Sequence, residues 1–150
     1  MIVTLTEEEL ERAVDEGDRR QANNESEGNP DRYGAKGGKR YHRLGAAGEL
    51  AFCKGMDLVW TGPAGIRASD ASGWEVRATF MTSNGCLIVH HGDHDDRRYA
   101  LVHPLHEHER FTYRIVGWML GADAKNDDWW KTKQKDGTPC LLYTSPSPRD

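Results

Sequence analysis

The stretch Asp70-Ala71-Ser72-Gly73-Trp74-Glu75-Val76-Arg77-Ala78-Thr79-Phe80 decides how the rest of the chain is read. From Trp74 onward the residue types alternate. Trp74, Val76, Ala78 and Phe80 fall on one side, and Glu75, Arg77 and Thr79 on the other, the period-two pattern of a strand with one buried face. Ser72-Gly73 supplies a tight connection just before it. If Asp70 closes a preceding strand there, its carboxylate and that of Glu75 lie opposite each other, with Cβ atoms roughly 5 Å apart. Two carboxylates that close repel unless a positive charge lies between them. A hard divalent cation with oxygen ligands, Mg2+ or Mn2+, answers that need. Such a cation orients water and stabilises charge on a phosphate oxygen. Arg77, on the same face as Glu75, adds a fixed guanidinium. The same residues also admit a structural reading. Asp70 and Gly73 then only make a turn, and Glu75 and Arg77 form an exposed pair worth under about 1 kcal/mol.

Working outward toward the N-terminus, Leu44 to Lys54 has helical spacing. Leu44, Ala47 and Ala51 share a face, and Gly45-Ala46-Ala47-Gly48 permits close packing. Glu49 sits on this helix. Before it, Asn23 to Tyr41 is polar and rich in glycine, which predicts a flexible loop. That loop is basic: Arg32, Lys36, Lys39, Arg40 and Arg43 follow Asp31, with Tyr33 and Tyr41 interleaved. Such a segment can track a nucleic-acid backbone or serve as a solvated linker. Earlier still, Thr6-Glu7-Glu8-Glu9 is a capping box that predicts a surface helix from Thr6 to Ala22.

Leu58-Val59-Trp60 reads as a short strand. On the C-terminal side, Asn84-Gly85 is a hairpin turn signal, with Cys86-Leu87-Ile88-Val89 returning. Two further strands follow at Tyr99–Val102 and Tyr113–Met119. Short connections favour antiparallel neighbours. The expected class is α/β: two N-terminal helices over a mixed, mainly antiparallel sheet.

A chain of 150 residues, 37% apolar and 29% charged, suits one domain. The net charge of −4 argues against a sequence-independent nucleic-acid coat, though not against a local basic patch. Cys53, Cys86 and Cys140 fit no zinc or redox spacing. His90, His91, His94, His103, His106 and His108 crowd one region, but neither H-E-x-x-H nor another zinc order is present, and polar loops are the expected role. No apolar run is long enough to span a bilayer. The opening MIVTLTEEELERA lacks the order of a signal peptide. A cytoplasmic protein without a small-molecule cofactor is expected. Residues 140–150, Cys-Leu-Leu-Tyr-Thr-Ser-Pro-Ser-Pro-Arg-Asp, read as one frame of a transposon adapter used in sequencing libraries. The expected native domain is therefore 1–139, continuing past the adapter junction.

An acid at the end of one strand followed by E-x-K on the next resembles the PD-(D/E)XK, or restriction-endonuclease-like, nuclease superfamily. Gly48-Glu49-Leu50-Ala51 stands where that family often carries a helical glutamate. The resemblance implies an αβββαβ core and Mg2+-dependent cleavage of DNA. Under it Asp70, Glu75 and the Val76 carbonyl bind metal, Glu49 supports metal or water, and Arg77 replaces the family lysine. Arginine keeps the charge but carries no proton, so a catalytically weak relative that binds DNA or a protein partner is the alternative. The run from Gly45 to Ala124 is also similar to phage-encoded proteins, through G-A-x-G-E-x-A, E-V-R, Asp93-His94-Asp95-Asp96 and Gly117-Trp118-Met119-Leu120-Gly121-Ala122-Asp123-Ala124. That similarity implies a phage or prophage origin.

Overall fold

Helix formation in the N-terminal third follows the capping box. The Thr6 amide donates to Glu9 Oε1 at 2.8 Å, and the Glu9 amide donates to Thr6 Oγ1 at 3.1 Å, so two backbone donors at the helix start are satisfied reciprocally. In this computed structural model, which describes residues 1–26, 35–61, 73–80, 87, 89–90, 92–125, 130–133 and 139–141, the helix is α1, Glu7–Ser26, preceded by strand β1, Ile2–Thr4. Lys54 Nζ adds an ion pair to Glu9 at 2.7 Å. Together with the Thr6 amide it holds the Glu9 carboxyl below its ordinary value. A carboxylate lowered on folding stabilises the fold above its ordinary pKa, and that contribution is lost as pH falls through the lowered value. Glu9→Gln is therefore expected to cost up to about 1 kcal/mol at pH 7. The difference from wild type closes in urea titrations carried out below the native pKa.

The second helix, α2, runs from Ala35 to Met56. This corrects the expected loop over 23–41: residues 23–26 end α1 and 35–41 begin α2, while 27–34 lie outside the described residues. Gly37 and Gly38 each cost a helix about 1 kcal/mol, but packing against α1 outweighs that. Asn24 meets His42 at 2.9 Å, and Arg43 grips Asp18 with two hydrogen bonds of 2.7 and 2.9 Å. At Gly17 the helices approach so closely that a Cβ would lie 2.6 Å from Arg43 Cα.

The sheet follows from α2's apolar face. Its four strands run in the order β1-β4-β3-β2, with β2 at Trp74–Ala78, β3 at Arg98–Pro104 and β4 at Thr112–Leu120. β1/β4 and β3/β4 are antiparallel, and β2/β3 is parallel. The chain is thus mixed α/β with a mixed four-stranded sheet. Central β3 is buried at every position but its first, as its unbroken apolar run Tyr99-Ala100-Leu101-Val102 requires. Trp74, Val76, Ala100 and Val102 pack with Leu50, Ala51 and Phe52 of α2. Tyr99 and Leu101 pack on the other side with Leu87, Val89 and Ala124.

One expected strand is absent, and several elements were not foreseen. Leu58-Val59-Trp60 forms no strand; a hydrogen bond from the Leu58 amide to the Cys53 carbonyl instead turns the chain back on the end of α2. The short strand β1 was unforeseen. Of the hairpin through Asn84-Gly85, only Leu87 and Val89 are described. Gly121–Ala124 forms a one-turn helix, α3, and Trp130–Lys133 (β5) pairs with Pro139–Leu141 (β6) in a separate two-stranded sheet. No helix among the described residues is long and apolar enough to cross a membrane.

Candidate functional site

Strand alternation places Glu75 and Arg77 side by side on the sheet face turned away from α2. Gly73, with φ of +84°, makes the turn before them in the left-handed region that favours glycine. Glu75 accepts a hydrogen bond from Arg97 Nη1 at 2.5 Å, and Arg77 Nη1 lies 3.8 Å from its other oxygen. Arg77 also reaches Asp93 at 3.4 Å and stands over the Tyr99 ring, 5.1 Å from its centre. Asp93 accepts the His90 amide at 2.9 Å. Burial pushes the Tyr99 phenol up, with Asp93 adding to it. It stays a hydroxyl whose oxygen accepts the His94 amide at 3.0 Å.

The Asp93–Asp96 loop and the Gly117–Ala124 segment meet at this face. The Gly121 amide donates to the Arg97 carbonyl and the Ala122 amide to the Asp95 carbonyl. Lys125 Nζ joins them by reaching the Asp93 carbonyl and Asp95 Oδ1. A Cβ on Gly121 would collide with the His94 carbonyl.

Glu49 is elsewhere. It lies on α2, across the sheet from Glu75, and is 6% exposed. Arg20 grips both its oxygens at 2.8 Å, and Trp60 Nε1 donates at 3.1 Å. The structure therefore does not bring Glu49 to Glu75 and Arg77. The ladder of β2 and β3 uses the Gly73 carbonyl and the Thr79 amide, so the two-residue period turns the Val76 carbonyl to the outer edge of β2. Asp70 lies outside the described residues. Among those described, no group of three His, Cys, Asp or Glu side chains converges. Glu75 and Asp93 already face two guanidiniums, so without Asp70 they do not fit a divalent cation.

No family model, curated protein or solved structure matches this chain.

A second region brings together three of the predicted basic residues, with Glu107 and Glu109 also in its lining. Lys39, Arg40 and Arg43 of α2 line a cleft of about 580 Å3, shared with α1 and the β3–β4 connection. Leu10, Val14, Leu44 and Ala47 form its apolar wall. Arg110 and Phe80 line it too, and sequence reading missed both. Phe80 lies two residues beyond the end of β2 and packs on the expected side, but its partner Arg40, 3.9 Å from the ring centre, falls in the stretch that the sequence predicts as a loop. Arg110 stands in a mixed His/Glu segment with no periodic signal.

The turn carrying Arg110 is fixed by its neighbours. Glu109 accepts the Phe111 and Thr112 amides at 2.9 and 3.0 Å, which lowers its carboxyl. Burial pushes the Tyr113 phenol up to about 12, and the hydroxyl donates to the Arg110 carbonyl at 2.9 Å. Arg43 is held by Asp18, which it lowers while being raised itself. Both groups are more than a third exposed, so the pair is worth under about 1 kcal/mol. No ion pair joins Lys39, Arg40 or Arg110 to an acid among the described residues. Lys36 begins α2, and Arg32 lies outside the described residues.

Proposed function

We propose that this chain binds nucleic acid through the cleft between α1, the start of α2 and the β3–β4 connection. The observation that carries the reading is convergence. Three of the basic residues singled out in the sequence line one cleft, and Arg110 joins them from a segment some seventy residues away. Arg43 is engaged with Asp18, and Glu107 and Glu109 share the lining, so Lys39, Arg40 and Arg110, which make no ion pair among the described residues, are the groups left to contact phosphates and displace counterions. With a net charge of −4, attraction to phosphates depends on local basic surfaces such as this one.

The test is fluorescence anisotropy with labelled DNA across a salt series. Wild type binds, and log affinity falls with log salt concentration. Reversing two contacts, Lys39→Glu with Arg110→Glu, is expected to weaken binding at least about ten-fold and to flatten the salt slope. Wild type that fails to bind DNA at low salt overturns the reading.

A second reading is Mg2+- or Mn2+-dependent cleavage on a restriction-endonuclease-like αβββαβ core. It is favoured by Glu75 and Arg77 standing together on β2, a strand that starts just after Asp70. It requires Asp70 to supply the acid that the described residues lack, and Arg97 to leave Glu75. Plasmid cleavage that needs the metal and is lost in both Asp70→Ala and Glu75→Ala, with DNA binding kept, would establish it.

A further inference from the structure

We infer that the cleft selects single-stranded nucleic acid, with an unpaired base stacking on the outer face of the Arg40 guanidinium. The inference deepens the nucleic-acid reading above and rests on it. Three observations carry it.

The first is the Arg40–Phe80 stack. Arg40 Cζ lies over the Phe80 ring, 3.9 Å from its centre, and Tyr41 braces the same ring from its edge at 5.3 Å and 69°. Arg40 remains exposed although its Cζ sits this close over the ring. A guanidinium plane presented in this way is a platform for a nucleobase. The ring beneath holds it in place, so little side-chain entropy remains to be lost on binding.

The second is size. At about 580 Å3 the cleft lies within the range of pockets that take one small molecule. A base projecting from a single strand can enter such a cleft. A paired base is shielded by its partner strand and would have to be flipped out first.

The third is the division of the walls. Leu10, Val14 and Leu44 are apolar, while Lys39, Arg40, Arg43 and Arg110 bring positive charge against the two carboxylates of Glu107 and Glu109. An apolar wall adds nothing to contact with a duplex backbone. It suits a base, whose flat faces are apolar, while the cations take the flanking phosphates.

The test compares the full chain on a labelled oligothymidylate of about fifteen residues, a length near the upper span of one stacking site, with a duplex of equal length. The single strand is expected to bind at least about ten-fold more tightly, because stacking adds to the shared phosphate contacts. Arg40→Lys keeps the charge and loses the plane. It should remove most of the preference, read as the ratio of single-strand to duplex affinity in the same protein, so that a general loss of affinity or fold does not produce the result. Phe80→Leu, which keeps apolar bulk and loses the ring, should do the same, with far-UV circular dichroism confirming its fold. Lys39→Glu should weaken both ligands alike. Equal affinity of wild type for the two forms, or an Arg40→Lys protein that keeps the preference, overturns this inference and leaves the nucleic-acid reading standing. Binding to neither form overturns both.

Discussion

Glu49→Ala is expected to lower the free energy of unfolding by about 3 kcal/mol, the low end of what removing one member of a buried ion pair costs. The cause is the group left behind. Arg20 places two nitrogens at 2.8 Å from Glu49 and is itself only 22% exposed. Among the described residues, the other acid that pairs with it is Glu16, at 3.8 Å and already engaged with Arg19. The Trp60 indole N–H loses its acceptor as well. Urea denaturation gives the number. Removing both charges, in Arg20→Met with Glu49→Leu, should recover most of the loss, because a well-packed apolar pair of similar volume often replaces a buried ion pair without cost. Nucleic-acid affinity of Glu49→Ala, measured where the protein remains folded, should equal that of wild type. A Glu49→Ala protein as stable as wild type, yet deficient in metal-dependent DNA cleavage, would return Glu49 to a catalytic role.

Gly17→Ala is expected to be comparably damaging although it adds a single methyl group. The new Cβ would lie 2.6 Å from Arg43 Cα and 2.7 Å from Arg43 N, both backbone atoms that no rotamer change can move. The two helices must separate, at a cost of about 3 kcal/mol, the upper end for overpacking. The same separation displaces Arg43 and widens the cleft between Leu10 and Lys39, so affinity for nucleic acid should fall together with the melting temperature. Gly45→Ala is the control. Its Cβ would meet nothing nearer than an Arg20 nitrogen at 4.0 Å, and alanine in a helix is favoured over glycine by about 1 kcal/mol. It should leave stability unchanged or raise it. A harmless Gly17→Ala would mean that the close approach of α1 and α2 does not hold the cleft together.

The elements that the sequence made legible are those whose signal is local. The capping box at Thr6 and Glu9 is satisfied within four residues, and it fixed the start of α1. The alternation Trp74-Glu75-Val76-Arg77 gave β2 and its two faces, since a period of two needs no knowledge of neighbours. What could not be read depends on partners distant in the chain. Residues 35–41 look like a loop because of their glycines, yet they form the start of α2, which meets α1 through Asn24–His42 and Asp18–Arg43. The parallel pairing of Glu75 with Tyr99 has no turn signature. β1 is only three residues long, and its partner is β4.

The candidate site divides along the same line. Glu75 and Arg77 were found together because they are two residues apart. Their companions Arg97 and Asp93 arrive through the loop before β3, which only the folded sheet brings near. Glu49 was linked to Glu75 by order along the chain, and order does not say which side of a sheet a helix covers. The basic cleft was half visible. Lys39, Arg40 and Arg43 stood out as a run of charge, but Arg110 and Phe80 could be joined to them only in three dimensions.

The edge position of β1 bears on how the chain matures on the ribosome. Ile2, Val3 and Thr4 leave the exit tunnel before the other strands of their sheet, yet the residues they bond, Arg114, Tyr113 and Thr112, are made over a hundred residues later. The α1–α2 pair has all of its components much earlier and can condense while synthesis continues. β1 must meanwhile wait with its backbone groups bonded to water, so this edge of the sheet closes only once β4 has been made.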